Sequence, residues 1–384
     1  MLKIMLFLNF FYFFYVFIAF AQPNNSPTIN QSLRTPNVSA NALFLYRNTT
    51  SGKFSNSIER NGLDIQETEI AFYSDVDPYS SLNVILSIAP EYEYDATTDT
   101  VIQDWIIEPE EAFALSNYFS GITFKLGKFK AEFGKHNLLH SHAYPFVDAP
   151  ITNDQLLGGE GLNDVGASAA ILLPFKSFYS ELTVQYLRGE GENSEFSSKN
   201  SNDGISVMHW KNLMDLSDSF TMEIGGSYAE GNNSMNAKTK LIGGDLTFKY
   251  IPLSGGKVGS LTLAGEFIGR NQEQKNLTTS YDDENGKGFS IWAQYQFTER
   301  WSLLTRYESF EVKNSEALVN ENALINDKTI KKSLAFNFNA TEFSSFKFEC
   351  DRLEGPPMNN GKRDENRIFL QANFTIGSHP VHSY

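Results

Sequence analysis

Apolar and polar side chains alternate along most of this chain. In "FTMEIGGSY", residues 220–228, Phe220, Met222, Ile224 and Tyr228 share one side, and Thr221, Glu223, Gly225 and Ser227 share the other. "FSIWAQYQF" sets Phe289, Ile291, Ala293, Tyr295 and Phe297 against Ser290, Trp292, Gln294 and Gln296. "DLTFKYI", "WSLLTRYES", "FKFECD" and "RIFLQANFTIG" behave in the same way. A period of two residues marks strands with two unlike faces. Sixteen strands are predicted, near 40–48, 63–74, 81–90, 104–115, 121–132, 165–174, 179–188, 204–213, 219–230, 239–251, 259–270, 287–297, 300–310, 329–340, 344–352 and 366–377. No long stretch beyond the first 21 residues has helical periodicity.

The links alternate too. "SNYFSG", "PFKS", "TER" and "NATEFSS" are short, whereas "GEGENSEFSSKNSNDG", "NQEQKNLTTSYDDENGKG" and "LEGPPMNNGKRDEN" are longer and polar. Eight long links and seven short ones fit an all-β, antiparallel transmembrane barrel of about sixteen strands, with turns at one rim and large loops at the other. A secreted sandwich would also alternate, but it seldom needs this many strands in one domain. Aromatics near predicted strand ends, such as Tyr46, Tyr73, Tyr228, Tyr250, Tyr295, Phe297, Trp301 and Tyr307, resemble the girdles that outer-membrane barrels set at the two lipid interfaces.

The first 21 residues read as a signal peptide: Lys3, a long apolar run, then Ala19-Phe20-Ala21 before Gln22-Pro23-Asn24. An uncleaved anchor is the competing reading, since the run is long enough to span a bilayer. The expected organisation is a signal at 1–21, a short periplasmic segment at 22–38 and a barrel at 39–384, in the bacterial outer membrane. With 31 basic and 46 acidic residues the net charge is −15, which argues against a nucleic-acid partner. A lone cysteine, Cys350, rules out an internal disulfide and a multi-cysteine metal site.

Three of the six histidines fall within seven positions of "GKHNLLHSHAYPFVDAP", residues 134–150. On the predicted topology this is the third large loop, from about Phe133 to Asp164. Its apolar Leu138, Leu139, Phe146, Val147, Leu156 and Leu157 would be odd in a solvated loop and fit one folded back against the inner wall. His136, His140, His142, Asp148, Asp154 and Glu160 are the residues expected to line the constriction and touch a passing solute. The histidines, with an acid nearby, could also hold zinc, for which imidazole is a common ligand; the plainer reading is that they buttress the wall by hydrogen bonds. On the predicted register Glu67, Glu69, Lys125, Glu223, Asp245, Lys249, Arg306 and Glu308 line the lumen. Carboxylates outnumber cations on that face, so a modest preference for cations is expected.

"EPEEAFALSNYFSGITFKLGKFKAEFGKHN" resembles a strand pair of porins of the phosphate-selective O/P superfamily. "DPY" at 77–79, "GKFKAEFGKHNLLHSHAYPFVD" at 127–148, "GGEGLNDVG" at 158–166 and the closing "GSHPVHSY" resemble a family of Gram-negative outer-membrane barrels sometimes labelled zinc-regulated outer-membrane receptors. The resemblance implies a fold and a location more firmly than a substrate. A plug-bearing transporter has about 22 strands, more than this length provides.

These readings converge on passive diffusion of small hydrophilic solutes or ions, with no resident cofactor unless zinc is bound or passed. The partners would be outer-membrane lipid and lipopolysaccharide. Porins are often trimeric, but no sequence feature fixes the oligomer. A substrate-specific channel with a histidine-lined metal site is the first alternative, and a surface receptor or adhesin barrel the second. An enzyme is not expected: Ser206 and His209, three apart on a strand, point to opposite faces, and no G-x-S-x-G elbow occurs.

Overall fold

The computed structural model describes residues 36–50, 61–95, 100–189, 191, 194–197, 203–254, 256–275, 281–313, 327–358 and 361–377. The expected signal peptide, most of the expected periplasmic segment and the closing "GSHPVHSY" beyond Gly377 lie outside the described residues.

Sixteen strands close into one antiparallel barrel, each paired with its sequence neighbours and the first with the last. They are β1 (Asn37–Thr49), β2 (Gly62–Asp77), β3 (Ser80–Asp95), β4 (Thr100–Phe119), β5 (Ile122–Lys130), β6 (Asn163–Leu172), β7 (Tyr179–Leu187) and β8 (Ile205–Ser217). The second half is β9 (Phe220–Asn232), β10 (Lys238–Tyr250), β11 (Leu261–Lys275), β12 (Tyr281–Gln296), β13 (Trp301–Lys313), β14 (Asp327–Asn339), β15 (Ser344–Met358) and β16 (Gly361–Ile376). Closure leaves no strand edge unpaired, which a lipid-spanning sheet requires.

Every predicted strand is present, but several run further into the long-loop end than alternation indicated. β3 continues to Asp95 and β11 to Lys275. Beyond the lipid both faces of a strand are wet, so a polar extension such as "NQEQK" shows no contrast.

The wall is inverted relative to a water-soluble protein. Asn41, Glu69, Gln185, Ser302 and Gln371 are buried, while Leu126, Tyr186, Ile242, Ile291 and Ile376 are exposed. On β12, Ser290 and Trp292 are buried and Ile291 between them is 56% exposed. An apolar outer face against lipid and a polar inner face is the pattern of an outer-membrane barrel. Of the predicted girdle, Tyr46, Tyr228, Tyr295, Phe297, Trp301 and Tyr307 are exposed. Tyr73 departs from it: it shares a face with buried Glu69 and Ala71, and Phe72 takes the outward position.

Candidate functional site

The connection from β5 to β6 spans residues 131–162 and carries a short helix, α1 (Ile151–Leu157), and two single 3-10 turns at His136–Leu138 and Ser141–Ala143. One side chain ties its base. Asn137 Nδ2 donates to the carbonyls of Ala131 (2.8 Å) and Leu162 (3.2 Å), and Asn137 Oδ1 accepts from Leu162 N at 2.7 Å. Both ends of the connection are thereby held where Lys130 already pairs with Asn163.

From that base the segment meets strands all around the barrel. Gly134 N donates to Ser227 Oγ on β9, and the backbone amides of Lys135 and His136 donate to Glu266 on β11 (2.6 and 3.0 Å). Gly134 has φ +63°, and a Cβ there would lie 2.7 Å from Glu266 Oε2, so glycine is needed on both counts. His136 Nδ1 stands 3.1 Å from Glu266 Oε2. Trp292 Nε1 reaches His136 Nε2 at 3.3 Å; an indole N–H only donates, so Nε2 accepts.

His140 lies within a group of carboxylates. Its Nδ1 is 2.9 Å from Glu110 Oε1 and 3.7 Å from Glu69 Oε2, and its Nε2 is 3.1 Å from Glu111 Oε2. Burial alone would lower its pKa, but the facing Glu110, Glu111 and Glu69 carboxylates outweigh that and hold it well above the ordinary histidine value. His142 sets Nδ1 2.9 Å from Glu69 Oε1 and stacks on His140, ring centroids 5.8 Å apart.

Two successive glutamates meet one imidazole because β4 is bulged. Ile85 of β3 pairs with Glu111 and Leu86 with Pro109, which leaves Glu110 as the extra residue. A bulge breaks the two-residue period and turns neighbouring side chains to the same side. Pro109, which has no N–H to give the ladder, fits such a site. Lys130 closes the group, with Nζ 3.0 Å from Glu110 Oε1 and its backbone N donating to Glu111 Oε1.

Further along, Phe146 is fully buried with Trp292, Ala264, Leu304 and Ala335, and the Arg306 guanidinium sits 4.0 Å above its ring. Val147 packs on Leu45 and Phe369, and its amide donates to Glu349 at 2.8 Å. Asp148 accepts from Arg306 Nη2 (2.6 Å) and from Lys331 Nζ on both oxygens (2.5 and 2.6 Å). Partial burial opposes ionisation, but Lys331 and Arg306 outweigh it and hold the carboxyl well below the usual range. Lys347 Nζ donates to the carbonyls of Tyr144 and Phe146. Tyr144 passes the tie inward, its hydroxyl donating to the His136 carbonyl.

The helix α1 buries Leu156 and Leu157 in an apolar cluster with Phe129, Phe133, Leu187, Leu241 and Ile268. Ile151 N donates to Glu308 Oε2 at 2.5 Å, and Asn153 Nδ2 to Glu266 Oε1 at 2.7 Å. Gly288 of β12 makes room for the helix: a Cβ there would lie 2.2 Å from Thr152 Oγ1.

The residues expected at the constriction thus fall in separate places. His140 and His142 share Glu69, whereas His136 belongs to Glu266 and Trp292, and Asp148 to Arg306 and Lys331. Asp154 and Glu160 are exposed, and Glu160 accepts from Lys130 Nζ through its carbonyl at 3.5 Å, at the margin of the His140 group. Among the described residues, three potential metal ligands converge at Glu69, Glu110 and His140 and again at Asp148, Glu349 and Asp351. The three-histidine set foreseen as a metal site is therefore not brought together: His140 and His142 meet at Glu69 of β2, while the irregular backbone sends His136 to Glu266 of β11 and Trp292 of β12. Arg306 and Lys331 already occupy the second group.

Of the residues foreseen on the inner wall, Glu67 accepts from Ser87 Oγ, Glu223 meets Lys135 Nζ at 2.9 Å, and Arg306 contacts Glu308 at 3.1 Å. Lys125 lies over the rings of Phe113 and Phe129, Asp245 is buried opposite Glu266, and Lys249 is half-buried. The convergence of Glu110, Glu111 and Lys130 on His140 was not foreseen from the sequence, nor was Lys331. For Lys331 the signal was present: Leu334, Phe336 and Phe338 fix the outward face of β14 and so turn Lys331 inward. Ser206 is exposed and His209 is buried, with its Nδ1 2.8 Å from Ser227 Oγ instead.

A cleft of about 480 Å³ adjoins the His140 group, lined among others by Glu91, Glu108, Glu110, Lys128, Glu160 and Arg188.

No family model matches the chain. An uncharacterized protein of Aquifex aeolicus (strain VF5) is 29% identical over 367 residues, covering 85% of this chain and 71% of that protein. Among solved structures, an anion-selective porin from Comamonas acidovorans superposes with a TM-score of 0.55 at 10% identity, covering 89% of this chain and 98% of that one. The fold is a porin-type barrel. The outer membrane channel DcaP of Acinetobacter baumannii gives 0.54 at 10% identity, covering 89% and 97%. Salmonella typhi OmpF gives 0.54 at 12% identity, covering 90% and 99%.

Proposed function

We propose that this chain is an outer-membrane channel for passive diffusion of small hydrophilic solutes or ions, with residues 131–162 folded into the barrel as its constriction. The observation that carries the reading is the set of ties from one connection to inward-facing groups on β2, β4, β9, β11, β13, β14 and β15. Residues bonded to so many walls of a closed cylinder are most simply placed within it. The apolar, aromatic-edged outer face supports a bilayer location with lipid around the barrel. Similar solved proteins are described as outer-membrane channels and porins, and one, OmpT of Vibrio cholerae, is described in a trimer form. A homotrimer is the assembly proposed here.

Glu67, Glu69, Glu223 and Asp245 beside the constriction, and Glu91, Glu108 and Glu160 at the cleft, favour cations in transit. The test is the refolded protein in a planar bilayer under a KCl gradient. Stepwise, ohmic conductance with a reversal potential on the potassium side is expected. A folded barrel that conducts nothing contradicts the channel and favours a receptor or adhesin, and a chloride-side potential contradicts the selectivity.

A further inference from the structure

We infer that Glu69, Glu110 and His140 form a binding site for a first-row divalent transition cation. One donor atom from each, all three buried, lies within 4.8 Å of the other two. Donors bound to one such ion at roughly 2.0–2.2 Å sit about 3.3 Å apart. The separations of 2.9 and 3.7 Å from His140 Nδ1 to Glu110 and Glu69 bracket that value.

Three further observations favour a cation there. First, His140 Nε2 faces Glu111 Oε2 at 3.1 Å. A ligating imidazole typically gives its other N–H to a carboxylate, which fixes the tautomer and raises its basicity. That arrangement directs the Nδ1 lone pair at Glu110 and Glu69. His142, on the second oxygen of Glu69, would orient that ligand in the same manner. Second, carboxylates predominate among the described residues. Glu69, Glu110 and Glu111 converge on His140, with Lys130 Nζ 3.0 Å from Glu110 and Lys125 acting on Glu111. The comparable group around Asp148, Glu308, Glu349 and Asp351 has Arg306 and Lys331 embedded in it. Third, Glu110 also lines the acid-rich cleft, so an ion has a way in.

The donor chemistry selects the ion. An imidazole with carboxylates suits zinc and its neighbours, whereas calcium and magnesium prefer oxygen alone. On binding, the ion takes the place of the proton on His140 Nδ1. It joins the connection to β2 and β4, holding the constriction to one side of the wall.

The inference deepens the channel reading and rests on it only in setting the site beside the ion path; binding is measured apart from conductance, so either can fail alone. The detergent-refolded full chain is titrated with zinc by calorimetry. About one zinc per chain is expected, undisturbed by millimolar calcium or magnesium. Glu110→Gln and His140→Gln should each weaken binding at least tenfold, and Glu111→Gln by about 10–100-fold, with a heat-modifiable gel shift confirming the closed barrel. Should a variant fail to fold, zinc-edge absorption of the wild-type chain decides: a shell of one imidazole and oxygens supports the site. No zinc retained by the folded chain, a shell of oxygen alone or of several imidazoles, or variants that bind like wild type overturns it.

Discussion

Asp148 and Lys331 stand 183 positions apart in the sequence, yet the Lys331 ammonium reaches both carboxylate oxygens of Asp148, at 2.5 and 2.6 Å. One partner lies midway along the 131–162 connection and the other on β14. The pair makes the connection part of the wall rather than an independent loop. Arg306 shares the same carboxylate, so three charges lock one point. With Asp148 about a third exposed, Asp148→Asn should cost about 2 kcal/mol locally, below the figure for a fully buried pair. Faster hydrogen exchange at residues 145–151, with the barrel strands unchanged, would register that loss; unchanged exchange would count against the lock.

Phe146 is the apolar counterpart of this lock. Phe146→Ala removes a fully buried ring and the face on which Arg306 rests, at a cost of about 3–5 kcal/mol. Single-channel records should turn noisy while the gel shift on boiling persists. A quiet channel would show that the ring anchors nothing.

The histidine tie should depend on pH with a definite sign. His140 has its pKa raised by the facing glutamates, so its charged form favours the folded contact. That contribution is complete below about pH 6.5 and falls as pH climbs through the raised value in the folded protein. Amides 139–143 should therefore exchange faster at alkaline pH, beyond the intrinsic rise. His140→Gln should abolish the excess. Asp148 acts in the opposite direction: its depressed pKa leaves its tie intact above about pH 4, to be lost only in stronger acid.

Two glycines offer a matched comparison. Gly288→Ala puts a methyl group 2.2 Å from Thr152 Oγ1 and 2.8 Å from the Ser309 carbonyl, so α1 must shift. Gly226→Ala meets nothing within 4 Å. Thermal unfolding should fall by several degrees for the first and stay within about a degree for the second. Equal effects would mean that α1 does not press on β12.

Alternation alone located all sixteen strands because lipid and water impose opposite demands on the two faces. It also turned Glu69, Glu223 and Arg306 to the same side as the connection that meets them. The His140 group was not legible, because it depends on a bulge at Glu110 that breaks the very period being read. Nor could spacing reveal that His136 would part from His140 and His142: Asn137, Tyr144 and Lys347 set that path through hydrogen bonds to backbone, which leave no pattern in sequence. Histidines crowded in sequence divide into a stacked pair on Glu69 and a lone ring on Glu266.

The most direct test of the constriction is the conductance of a chain in which residues 139–157 are replaced by a short glycine–serine linker. Lys130 and Asn163 pair as neighbours, so the barrel can close without that segment. A single-channel conductance severalfold above wild type, with weaker ion preference, is expected from a refolded, heat-modifiable barrel. Unchanged conductance and selectivity would contradict the account, because the segment would then lie outside the path of the ions.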